Sequence, residues 1–323
     1  NFFILSALII LGEIIFGNWF KSDNFGIHLR GHINAKVRVE TFENGIKKEF
    51  IFFRNSNAFR NYEIDNKEID VVFVGGSTTI QSYLPYEETI VGILNQLFKN
   101  KKILFVNAGM EGKSTYGYLC DFKYWFSKIN DLNPKYYIFY TGYNDTFNKE
   151  NSKKIECEGI TSRDSNLKKL SDYLINTSFI LSNLKIIKHE LFQNKLTFEI
   201  NDGKKERYIT FQEAKKKFGN KKNNDPVILN YKLNLRRLEK IFKEKKITPI
   251  FITQVSMRGN DNKLLYLINK ETKSFANKNG YLVLKLDEEI DLKSQDFYDY
   301  IHNNARGSEK IAYYIYNKIY DLF

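Results

Sequence analysis

From Ile69 to the C-terminus, short apolar runs alternate with longer helical stretches. This alternation constrains the fold of the 323-residue chain more than any other feature. The runs are Val71–Val74, Ile103–Asn107, Tyr136–Tyr140, Ile250–Gln254 and Tyr281–Lys285. Runs this short and this apolar read as strands buried on both faces. Between the first two lies amphipathic Glu87–Phe98, and between the second and third lies Thr115–Ile129. A lysine-rich, less patterned insertion at 146–225 separates the third from the fourth. Asp225-Pro226 then opens a helix, with the acid as N-cap and the proline at the first helical position. Its Tyr231, Leu235, Leu238 and Phe242 share one face. A last helix begins near Ser308-Glu309 and aligns Ile311, Ile315 and Ile319. Strands and helices in this order imply a three-layer α/β architecture, a parallel sheet covered on both sides.

Upstream of this domain the character changes. Residues 1–20 are mostly apolar from Phe2 to Phe16, broken by Glu13, and end in Gly17-Asn18-Trp19-Phe20-Lys21. The first reading is a membrane signal anchor with an interfacial tryptophan. A cleaved signal peptide is second, and a buried helix is the structural alternative that Glu13 keeps open. Residues 21–66 read as an extension packed on the main domain. Within it, Ala35–Phe42 and Ile46–Phe53 flank Asn44-Gly45, a hairpin signal because both turn residues tolerate positive φ. Residues 67–323 form the main domain.

Composition narrows the function classes. With 42% apolar and 15% aromatic residues, a packed core is expected and disorder is not. The net charge is +12, but the lysines are scattered rather than gathered into one patch, which argues against nucleic acid as a partner. Cys120 and Cys157 fit no metal spacing. Cys120 lies in an apolar helical stretch and reads as core. His28 and His32 have helical metal-pair spacing, but Gly31 interrupts them and no third ligand is evident. No metal or organic cofactor is implied.

Functional loops of a parallel sheet gather at the carboxyl ends of its strands. Gly75-Gly76-Ser77 follows the first strand, Asn107-Ala108-Gly109-Met110-Glu111-Gly112 the second, and Gly142-Tyr143-Asn144-Asp145 the third. Asp299-Tyr300-Ile301-His302 precedes the final helix, and of the four histidines only His302 has an acid at this spacing. A serine becomes a nucleophile when a base takes its proton and a third group orients that base. These segments supply a serine, a histidine with an acid, an amide donor, and small residues whose N–H groups can approach an oxyanion.

Four blocks in this order resemble the SGNH (GDSL-type) hydrolase family. That family has a serine after the first strand, a glycine after the second, Gly-x-Asn-Asp after the third and Asp-x-x-His near the end. The resemblance covers roughly Asp70 to the C-terminus, apart from much of the insertion. One departure is Gly76-Ser77-Thr78 in place of Asp-Ser-Leu. The resemblance implies a flavodoxin-like five-stranded parallel sheet, here with an N-terminal hairpin extension and a helical insertion. It implies Ser77 as nucleophile, His302 as base and Asp299 as its orienter. It also implies an oxyanion hole from the Ser77 N–H, the Gly112 N–H and the Asn144 amide, with Gly109 as the reserve for Gly112.

The expected activity is an esterase working through an acyl-enzyme on acylated carbohydrate or other small esters. An O-acyltransferase acting on a surface polysaccharide shares the same parts. An anchored domain of this kind would face the periplasm or cell surface. The insertion, with Trp125 and the tyrosines nearby in sequence, is expected to shape the acceptor groove. Two further readings are a non-catalytic carbohydrate-binding protein and a nucleotide binder. The second rests on Gly112-Lys113-Ser114-Thr115, which looks like a phosphate loop but has Asn107 at the first glycine position.

Overall fold

The computed structural model describes residues 2–17, 19–20, 32–43, 46–147, 166–184, 195–200, 207–219 and 224–323. Strands β1 (Lys36–Glu43) and β2 (Ile46–Phe53) pair antiparallel with Glu43 opposite Ile46. The Asn44-Gly45 turn expected between them, like His28 of the histidine pair, lies outside the described residues. Strands β3 (Val71–Gly75), β4 (Phe105–Gly109) and β5 (Tyr136–Tyr140) follow. Then come β6 (Lys195–Ile200), β7 (Pro249–Ile252) and β8 (Leu282–Leu284). The main sheet has the order β4-β3-β5-β7-β8, and every pairing in it is parallel. This is the five-stranded sheet that the strand–helix alternation predicts.

Alternation along β3 explains why both faces are covered. Val72 and Val74 point into one core with Val106, Phe139 and Phe251, against Phe122, Leu235, Leu238 and Phe242. Those partners come from α4 (Thr115–Tyr124) and α7 (Pro226–Lys245). Val71 and Phe73 point into the other core, against Ile90 and Leu94 of α3 (Ile90–Leu97) and Ile311 and Ile315 of α10 (Ala305–Ile319). Each such side chain, fully removed from water, contributes about 1.5–3 kcal/mol before chain entropy is counted. The helix starts follow their caps. Asp225 accepts from the Val227 N–H ahead of α7, and Asn304 accepts from the Gly307 N–H ahead of α10. After α8 (Lys263–Asn279) and α9 (Leu286–Glu289), the last helix therefore starts at Ala305, one turn before Ser308.

The insertion is not wholly helical. It contains α5 (Asn166–Thr177) and α6 (Phe211–Phe218), but β6 also returns from it to pair in parallel with β1, giving a separate sheet of order β2-β1-β6. Glu40 of β1 takes Lys47 at 3.0 Å and Lys195 of β6 at 2.8 Å, so the insertion strand is tied by charge to the hairpin. The segment Lys-Leu-Thr-Phe-Glu-Ile does alternate polar and apolar residues as a half-buried strand should, but it stands alone in lysine-rich sequence.

Helix α4 starts where β5 ends, and one carboxylate joins them. Asp145 is buried, and both the N–H and the Oγ1 hydroxyl of Thr115 donate to its Oδ1, at 3.2 and 2.5 Å. Burial, against the Thr115 hydrogen bonds, pushes its carboxyl up to about 7. The folded protein therefore holds this proton where the unfolded chain has released it. The contribution is full below the unfolded value of 3.8 and is lost as pH rises towards about 7. Denaturant midpoints of wild type and Asp145→Asn are expected to converge unequally with pH. Wild type should lose a few kcal/mol relative to the variant between about pH 4 and pH 8. Parallel profiles would contradict the burial of an ionisable carboxyl here.

Candidate active site

Ser77 opens α2 (Ser77–Ile80), a single helical turn directly after β3, with Gly76 as its N-cap. Two close approaches explain the glycines. A Cβ on Gly76 would meet Asn144 Nδ2 at 2.3 Å, and a Cβ on Gly109 would meet the Ile80 N at 2.3 Å. The Asn144 amide thus packs over the Gly76 backbone and leaves no room there for a side chain.

The Ser77 hydroxyl lies 2.7 Å from His302 Nε2, and His302 Nδ1 lies 2.7 Å from Asp299 Oδ2. The other Asp299 oxygen accepts from the N–H groups of Ile301 and His302, at 2.9 and 2.8 Å. Burial pushes the Asp299 carboxyl up. The His302 ring and the two backbone N–H groups outweigh that and hold it below the ordinary carboxylate range. An ionised Asp299 only accepts, so His302 Nδ1 carries its proton and Nε2 is left to accept from the Ser77 hydroxyl. His302 is further fixed by Tyr298, stacked at 5.3 Å, and by Tyr83, edge-on at 5.5 Å. The Tyr83 hydroxyl donates to the Asn303 carbonyl at 3.0 Å.

Asn144 sits at the end of β5 and donates through Nδ2 to the Lys113 carbonyl at 2.9 Å, which leaves its second amide hydrogen for another acceptor. Gly76, Ser77, Lys113 and Asn144 line one small recess, together with Thr78 and Gln254. Gly112 does not line it. It lies on the exposed turn after β4, with φ +67°. Gly109, the reserve for Gly112, is buried in β4, and its N–H already donates to Asn107 Oδ1 at 2.9 Å. The Ser77 and Gly112 N–H groups have no acceptor among the described residues.

Several residues around this cluster carried no signal in the sequence. Gln254 Nε2 donates to Thr78 Oγ1 at 2.9 Å, and its Oε1 accepts from the Tyr143 N–H at 2.7 Å. It thereby ties the end of β7 to both the serine turn and the asparagine turn. The Arg60 guanidinium caps the far end of α2, donating to the carbonyls of Ile80, Gln81 and Leu84. The polar residues between Arg54 and Asn61 sit in a mixed loop sequence that gives no sign of their burial.

Two expectations are corrected. Trp125 shapes no groove, because it is fully buried against Phe59 and Phe126, and its Nε1 donates to the Asn57 carbonyl at 2.7 Å. Lys113 is not a phosphate ligand. It is buried in an ion pair with Asp121 at 2.6 Å, with its ammonium 5.0 Å from the Trp125 ring. That withdraws the nucleotide-binding reading. Among the described residues no group of three or more histidine, cysteine or acidic side chains could hold a metal ion.

No family model matches the chain, and no curated protein matches it. Solved structures do. An alpha/beta hydrolase from the metagenome of Lake Arreo, Spain, is similar at 14% identity over 79% of this chain and 96% of that one, with a TM-score of 0.44. A member of the lipolytic G-D-S-L family from Veillonella parvula is similar at 13% identity over 79% of this chain and 100% of that one, with a TM-score of 0.42. An acetylxylan esterase from Geobacillus stearothermophilus is similar at 13% identity over 78% of this chain and 94% of that one, with a TM-score of 0.44.

Proposed function

We propose that this protein is an SGNH-type serine ester hydrolase. The observation that carries this reading is the unbroken hydrogen-bond chain Ser77–His302–Asp299, at 2.7 Å for each side-chain contact. Ser77 Oγ attacks the acyl carbonyl as His302 Nε2 takes its proton. The carbonyl oxygen becomes an oxyanion beside the free hydrogen of the Asn144 amide and the Ser77 N–H. The Gly112 N–H joins if its exposed turn closes over the substrate. The imidazolium then protonates the leaving alcohol, and Asp299 stabilises the charge formed on the ring. Water activated by His302 releases the acyl group from Ser77. A sugar hydroxyl in place of that water would make the same steps an acyl transfer.

The small recess beside Ser77 and Asn144 favours short acyl groups, and carbohydrate esters are the proposed substrates. The proposed location is extracytoplasmic and membrane-anchored through the N-terminal segment. Cys120 is buried and disulfide-bonded, a state that persists in oxidising compartments. The first helix, α1 (Phe2–Phe16), is strongly apolar. Among the described residues, no helix is long and apolar enough to cross a membrane.

Kinetics on p-nitrophenyl acyl esters test the chemistry. Ser77→Ala is expected to lower turnover by at least about 10⁴-fold. Asn144→Ala is expected to lower kcat by about 10²–10³ with KM little changed, because its donor acts on charge that develops in the transition state. A near-normal kcat in either variant contradicts the assignment. Adding a glycan acceptor separates hydrolysis from transfer, since transfer diverts acyl groups from water to sugar. For the compartment, thiol titration of the denatured, unreduced chain should find no free thiol. Two reactive thiols per chain would overturn the oxidised state.

A further inference from the structure

The N-terminal helix is apolar around its whole circumference. Phe3, Leu8, Ile10 and Phe16 are each about three-fifths exposed or more (87, 60, 59 and 62%), though they point in different directions around the axis. A helix of this kind is stable only when something covers it. Further apolar side chains are exposed on the insertion. Leu167, Leu170 and Tyr173 lie on α5, and Phe179, Leu181 and Leu184 lie on the helical residues 179–184. One carboxylate joins the two segments. Glu13 Oε1 accepts from Ser178 Oγ at 2.7 Å and from the Ile180 N–H at 3.0 Å. Its Oε2 accepts from the Phe179 N–H at 2.9 Å and from Trp19 Nε1 at 2.8 Å. Phe16 and Phe179 also touch, with ring centroids 5.4 Å apart.

Glu13 is the one charge in α1, and a lone carboxylate there would be costly in lipid. Here its oxygens are solvated by fixed donors instead of water, which lowers that cost while fastening a second apolar segment to the helix. All of these contacts lie at the C-terminal end of α1, next to Trp19, a residue type that favours the membrane–water interface. The net charge of +12 complements an anionic lipid surface.

We propose that residues 166–184 form a second bilayer-contacting element, latched to α1 by Glu13. This element lays Leu181 and Leu184, which are i and i+3 neighbours on one helix face, into the boundary between headgroups and acyl chains of a phospholipid bilayer. The proposal rests on the reading of α1 as membrane-associated. It adds that the insertion, and not only the N-terminal helix, meets lipid. Glu13 is then a positioning residue for membrane contact.

The test uses the full chain in vesicles of equal parts phosphatidylcholine and phosphatidylglycerol. The photoreactive residue p-benzoylphenylalanine replaces Leu184 or, as a control, Tyr313, an exposed residue of α10. Irradiation followed by intact mass measurement is expected to yield phospholipid adducts from position 184 and none from 313. Glu13→Ala should cut the adducts at 184 by at least about tenfold, the scale of losing hydrogen bonds to a charged group, while the chain still floats with the vesicles. Circular dichroism melts check that each variant is folded. Cross-links from 184 to a second copy of the chain would overturn the proposal. So would floating protein without lipid adducts at 184, which leaves the α1 reading standing. Folded protein that does not float at all overturns both. None of these outcomes bears on ester hydrolysis, which is measured separately.

Discussion

The contact between Ser77 Oγ and His302 Nε2 spans 225 positions of chain, and neither partner sits on a long element of regular structure. Ser77 begins a four-residue helix, and His302 lies in the irregular segment before α10. Everything that makes this distance 2.7 Å is therefore support from elsewhere. On the serine side, the sheet register sets Gly75 opposite both Gly109 and Tyr140, which brings the turns after β3, β4 and β5 to one edge. On the histidine side, Asp299 folds the backbone by accepting two N–H groups, and the Tyr83 hydroxyl holds the next residue by its carbonyl. Gln81 links the two halves directly. Its Nε2 donates to Ser308 Oγ in α10 at 2.6 Å, and its Oε1 accepts from the Ile90 N–H of α3 at 2.8 Å.

Buried cations recur around the serine turn. Arg60 donates to three carbonyls at the C-terminal end of α2, where the backbone of Gln81 turns left-handed at φ +49°. A cation is favourable where unpaired helix carbonyls gather. Burial pushes the Arg60 guanidinium down to about 9, which still leaves it charged at neutral pH. Arg54, also buried, donates to the carbonyls of Ala58 and Gly109 at 2.8 and 3.2 Å. Lys113 and Asp121 pair below the Gly112 turn. Arg54 and Arg60 come from the N-terminal extension, and Lys113 and Asp121 from the turn after β4 and from α4, so the extension is part of what fixes the serine rather than an appendage to the domain. Removing one partner from such a set leaves a buried charge uncompensated, which is why the set reads as a unit.

The main sheet was legible because its strands are apolar on both faces and its helices carry one-sided patterns. Tyr136–Tyr140 falls where the sequence puts it, and β4 starts later than Ile103 because its ladder with β3 begins at Phe105. The serine, histidine and acid were legible as a set because each stands at a strand end or before a helix with few competitors; there are only four histidines to choose from. What the sequence hid was long-range polar satisfaction. Nothing local marks Gln254 as the residue that meets both Thr78 and Tyr143, or Arg60 as the cap of a helix far along the chain. Trp125 misled for the same reason, since an indole near a functional loop in sequence can equally fill a core. The strand in the insertion carried its own alternation, but its partner, β1, lies far upstream, so nothing local showed what it pairs with.

The central claim is that His302 makes Ser77 nucleophilic. Covalent labelling with a fluorophosphonate, mapped by peptide mass spectrometry, tests this most directly. The account predicts one label, on Ser77, that disappears in folded His302→Ala. Label on Ser77 that survives loss of the imidazole, or no label at all in folded wild-type protein, would contradict it.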